Sequence, residues 1–105
     1  MKRQDLNITK KIREAIEAID PKAHVILFGS RARGDAKNDS DWDVLILVDY
    51  PVTVEIERSF RYKLFDLELE IGEVFSTFIH NKSIWNTKHK VTPFYQSIKK
   101  EGVRL

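Results

Sequence analysis

The chain has 105 residues, 42% of them hydrophobic and 32% charged, which suits one small domain, residues 1–105, with a single core. Its 18 basic and 16 acidic residues are interspersed, for a net charge of +2, so no basic stripe marks it as a nucleic-acid binder. Cysteine is absent, which excludes disulfides and thiolate metal sites, and neither a membrane-spanning run nor an apolar leader is visible. A cytoplasmic location is the simplest expectation.

Ile8, Ile12, Ala15, Ile16 and Ile19 recur at helical spacing, predicting an amphipathic helix over 4–19 that Asp20-Pro21 ends. Val25 to Phe28 is a short apolar run before a glycine and reads as a buried strand. A short helix over Ser30 to Arg33 follows, then turn-forming residues from Gly34 to Asp41. The run from Trp42 or Asp43 to Val48 is the strongest strand, apolar enough to be covered on both faces.

Val52, Ile56, Phe60 and Leu64 step by four, predicting a helix over about 53–65. Leu67-Glu68-Leu69-Glu70-Ile71 alternates apolar with acidic and reads as a third strand, extending toward Val74-Phe75. Thr92 as N-cap and Pro93 at the first helical position open a last helix, closed by Gly102. The order predicts an α+β fold, a small mixed β-sheet with helices packed on one face.

The chemistry concentrates in two places. Gly29-Ser30 ends the first strand, and about ten residues later Asp41-Trp42-Asp43 opens the second. Carboxylates two apart in a strand face the same side, roughly 6–7 Å from each other. At an effective dielectric of about 20 they repel by roughly 2–3 kcal/mol. A proton or a cation relieves that, and Mg²⁺ suits carboxylate oxygens shared with substrate phosphates. Gly29 permits close backbone approach to a phosphate, and the Ser30 hydroxyl and nearby amides can donate to it. Arg31 and Arg33 add positive charge. Arg33 fits equally an ion pair with Asp35, Asp39 or Asp41.

A third acid on a neighbouring strand would complete the metal cage. Glu70 is the first candidate, Glu68 the second and Glu73 the third. A solvated strand face explains Glu68 and Glu70 as well as a catalytic role does. His24, His80 and His89 lack metal-ligand spacing, and His80 and His89, nine apart in a polar stretch, read as exposed side chains. Trp85, Phe94 and Tyr95 read as core before partner surface, and the scattered C-terminal lysines as a solvated face.

Phe28-Gly29-Ser30-Arg31-Ala32-Arg33-Gly34 with Ser40-Asp41-Trp42-Asp43 resembles the signature of the nucleotidyltransferase superfamily, which includes DNA polymerase beta. Its minimal bacterial and archaeal members are the nearest in pattern, over residues 25–49. The resemblance implies transfer of a nucleotidyl group, adenylyl foremost, from ATP or another NTP to an acceptor hydroxyl, with Mg²⁺. Asp41, Asp43 and Glu70 would be the catalytic and metal-holding acids. Gly29, Ser30, Arg31, Arg33 and Ser40 would form the nucleotide-binding set. Many minimal members act as antitoxins of a small helical HEPN-type partner, which implies a partner-supplied acceptor here. The family carries aspartate as its third acid, and this chain offers only glutamates. A module that neutralises its partner by binding alone is the alternative.

Overall fold

The computed structural model describes residues 3–105. Helix α1 (Arg3–Glu17) forms where the apolar four-residue step is strongest, and it buries Thr9, Ile12, Ala15 and Ile16. The chain turns at Ala18 and Ile19, and Asp20 then caps the backbone N–H of Lys22 at 2.9 Å. Strand β1 (His24–Phe28) leads directly into the one-and-a-half-turn helix α2 (Gly29–Arg33), which Gly34 closes in a left-handed conformation. A loop brings the chain to β2 (Trp42–Val48), five of whose seven side chains are apolar beyond the Trp42-Asp43 opening.

Helix α3 (Val54–Ile71) starts at Thr53, whose hydroxyl accepts the Ile56 N–H. It runs through the stretch expected to be the third strand. Leu67-Glu68-Leu69-Glu70-Ile71 satisfies a period of two. Phe60, Leu64 and Leu67 also satisfy the helical step, and all three are buried. Glutamate and leucine favour the helix, and it continues until Gly72, with φ of 73°, turns the chain out. The third strand lies farther along, at β3 (Phe75–Asn81). Asn81 then caps the short helix α4 (Lys82–Thr87). Helix α5 (Pro93–Glu101) begins at the expected Thr92 cap, and β4 (Val103–Arg104) ends the fold.

The sheet order is β3-β2-β1-β4. Strands β1 and β2 are antiparallel, as are β1 and β4, whereas β2 and β3 run parallel. The mixed sheet and α+β architecture follow the sequence expectation. Side chains alternate across β2. Trp42, Val44, Ile46 and Val48 join Ile12, Ile16, Phe60, Leu64 and Leu67 in the main core under α1 and α3. Leu45 and Leu47 face the other way, toward Trp85, Tyr95 and Ile98 of α4 and α5. The helix layer expected on one face is thus α1 and α3, and the shorter helices cover part of the second face. No helix among the described residues is long and apolar enough to cross a membrane.

Candidate functional site

Asp43 shares its side of β2 with Leu45 and Leu47, so its carboxylate lies on the α4–α5 face. The register sets Phe28 of β1 and Ser76 of β3 on either side of it. Beyond this row, covering side chains close the face: Phe28, Phe78 and Phe94 meet with ring centroids 5.3–5.8 Å apart. Asp43 is half-buried at the edge of that apolar ground, and Asp41 is exposed at the strand mouth. Burial raises the Asp43 carboxyl above its ordinary range, the charge of Asp41 raises it further, and Arg33 opposes both. No hydrogen-bond donor among the described residues relieves it. Asp41 differs, because the Ser76 hydroxyl donates to its Oδ2 at 3.0 Å.

Gly29 is where β1 gives way to α2, and its φ is +73°. A Cβ at that position would collide with Asp43 Oδ2 and stand 3.1 Å from Asp43 Cγ. Glycine is required both by the left-handed backbone and by this contact. The Phe28 side chain provides no cap for α2, so the first amides of the helix beside Asp43 keep their donors. Ser30 follows Gly29, and its carbonyl accepts the Gly34 N–H at 3.0 Å and the Asp35 N–H at 3.2 Å. Gly29, Ser30, Asp41 and Asp43 are therefore brought together.

The arginines serve the loop. Arg31 donates from Nη2 to the carbonyls of Asn38 at 3.3 Å and Ser40 at 2.9 Å, and its Nε also reaches Ser40. Its guanidinium lies 4.6 Å over the Trp42 ring and 3.9 Å from Glu73. These contacts fix the approach to Asp41 and leave Arg31 little freedom to turn to a phosphate. The Ser40 hydroxyl accepts the Lys37 N–H at 2.9 Å, another loop contact. Arg33 pairs with Asp35 and Glu101, both at 3.2 Å, which ties α2 to the end of α5. Asp35 is one of the partners the sequence offers; Glu101 is brought in only by the fold.

Glu70, expected on a strand beside the aspartates, is on α3, exposed and 3.8 Å from Lys11. That helix packs on the sheet face opposite Asp43, so the strand reading of 67–71 is corrected and Glu70 is not brought to the pair. Glu68 points to the start of β3, where its Oε1 accepts the Phe75 N–H at 3.0 Å. Glu73 is engaged with Arg31. On the Asp43 face of β3 stand Ser76, Phe78 and His80. No group of three or more His, Cys, Asp or Glu able to hold a metal occurs among the described residues. Two carboxylates at the mouth of β2, of which Asp43 receives no hydrogen bond from a described residue, still fit a hard divalent ion that takes its other ligands from substrate phosphates and water. Sequence reasoning missed Ser76, since nothing local to it signals a site.

His80 and His89 are half-buried, not exposed as expected: their rings lie 4.5 Å apart and both stack on Trp85. Desolvation lowers the His80 pKa, and His89 lowers it further. Trp85 and Tyr95 are core side chains, as expected.

A glycine turn thus stands beside two aspartates at the mouth of β2. Residues 9–104 match the family model described as the nucleotidyltransferase domain, and the chain belongs to that family. It is similar to two proteins of Methanocaldococcus jannaschii. One, "Putative protein adenylyltransferase MJ0604", is 30% identical over 102 residues, which are 92% of this chain and 96% of that protein. The other, "Putative protein adenylyltransferase MJ0141", is 32% identical over 102 residues, 95% of this chain and 97% of that protein.

Proposed function

We propose that this nucleotidyltransferase moves an adenylyl group from ATP to a hydroxyl on a partner protein, with Mg²⁺ held by Asp41 and Asp43. The carrying observation is the Asp43 carboxylate, half-buried against the left-handed Gly29 and raised by burial and by the neighbouring charge of Asp41. The names of the similar archaeal proteins, each printed as "Putative protein adenylyltransferase", favour adenylyl and a protein acceptor. In the reaction the acceptor hydroxyl gives up its proton to solvent, its oxygen bonds to the α-phosphorus, the bond from that phosphorus to the β-phosphate bridge breaks, and pyrophosphate leaves. A bound divalent ion supplies charge neutralisation at the phosphates. Asp41 and Asp43 must both be ionised to hold it. Gly29 admits the triphosphate against the backbone, and Ser30 and the amides of α2 donate to its oxygens. Arg31 and Ser40 shape the loop beside it, and Arg33 contributes charge near Asp43. The partner in this reading is a small helical HEPN-type protein in a toxin–antitoxin pair, which supplies the acceptor hydroxyl; the resemblance of Phe28 to Asp43 to minimal nucleotidyltransferases supports it.

The absence of a third carboxylate beside the pair, among the described residues, favours a second reading. In it the chain neutralises the same partner by binding alone. One experiment separates the two: the purified chain, the protein of the adjacent gene and labelled ATP are mixed with Mg²⁺. Label on the neighbour, lost in Asp41→Asn and Asp43→Asn, supports transfer. A tight unlabelled complex that survives both substitutions supports the binding module.

A further inference from the structure

We propose that Ser76 is a positioning residue that aims Asp41 at the divalent ion, an inference that rests on the adenylyl-transfer reading above. The parallel register of β2 and β3 sets Ser76 directly beside Asp43 on the same face. From there its hydroxyl reaches past to Asp41 Oδ2 at 3.0 Å. Asp41 is exposed at the strand mouth, where an untethered carboxylate turns freely among rotamers and swings away from a like charge. A hydroxyl tethers it without adding negative charge to a pair that already repels. The next side chain on this face of β3 is Phe78, which packs against Phe28 and Phe94 and cannot take that part. A neutral donor thus stands on β3 beside the aspartates, where the sequence predicts a third carboxylate, and it acts on the metal through Asp41.

The test is Mn²⁺ binding to the nucleotide-free protein, read by electron paramagnetic resonance on wild type, Ser76→Ala, Ser76→Thr and Asp41→Asn. Loss of an outer-shell partner weakens metal affinity by about 10-fold or more. Ser76→Ala is expected to show that loss with an unchanged melting temperature. Ser76→Thr, which keeps the hydroxyl and suits a strand, stays close to wild type. The metal concentration needed for half-maximal transfer shifts in the same order. If Ser76→Ala binds Mn²⁺ as tightly as wild type while Asp41→Asn does not, the role of Ser76 is refuted and the carboxylate site stands. If Asp41→Asn also binds like wild type, the site itself is wrong and the inference falls with it.

Discussion

Replacing Asp43 by Asn should make the protein more stable while abolishing transfer. Asp43 is half-buried, receives no hydrogen bond from a described residue, and faces the same side as Asp41. Side chains two apart in a strand are about 6.6 Å from each other, and at an effective dielectric of about 20 two negative charges at that distance repel by about 2.5 kcal/mol. Asp41 is open to water, so screening leaves roughly 1 kcal/mol of it. In a domain of this size that corresponds to a rise in melting temperature of roughly 4–8 °C. The sign follows from the raised carboxyl. The folded protein holds the Asp43 proton more tightly than the unfolded chain does, so the cost is absent below the ordinary value of 3.8 and grows as pH rises through the folded value. The advantage of Asp43→Asn is therefore full at neutral pH and shrinks as pH falls toward 4. Thermal unfolding followed by circular dichroism in chelator-treated buffer, at pH 7.5 and in steps downward, measures it. Added Mg²⁺ should then raise the wild-type melting temperature and leave that of Asp43→Asn unmoved. An Asn variant no more stable than wild type at pH 7.5, or a gain that persists undiminished at pH 4, would refute the repulsion on which the metal site is argued.

Three further outcomes are expected. Gly29→Ala forces a side chain into the left-handed region at a cost of about 1–2 kcal/mol and drives its Cβ into the Asp43 carboxylate, so calorimetry should show a lower melting temperature and the transfer assay little activity. Arg31→Ala removes the contacts to Asn38 and Ser40 and the stack on Trp42; amide hydrogen exchange should quicken over residues 34–41 and KM for ATP should rise, with the core strands still protected. Glu70→Gln touches only an exposed ion pair with Lys11, so stability should move by less than about 0.5 kcal/mol, and the transfer rate should be unchanged; a large loss of rate would restore Glu70 to the site.

Much of the molecule was legible before folding because its signals are local. The apolar step that makes α1, the Thr92-Pro93 start of α5 and the Gly29-Ser30 turn all act within a few residues of chain. The segment 67–71 misled because five residues of alternation fit a strand and the last turn of a helix alike. What decided it was α3 already packing through Phe60 and Leu64, which made one more buried position, Leu67, cheaper to reach as helix. Gly102 was expected as an ordinary helix stop. Its φ is −66°, and glycine fits there because a Cβ would meet first the Ile98 carbonyl of α5, at 2.5 Å, and then Ile26 Cγ2 on β1, at 2.9 Å.

The amino-acid order alone determined the two halves of the site, a glycine-serine turn after one strand and alternate aspartates opening the next, since period-two geometry turns Asp41 and Asp43 to one side wherever that strand lies. Only tertiary structure decided their company. Strand pairing is set by long-range burial and register, and it was the parallel docking of β3 on β2 that brought Ser76 to Asp41 and left Glu70 across the sheet beside Lys11.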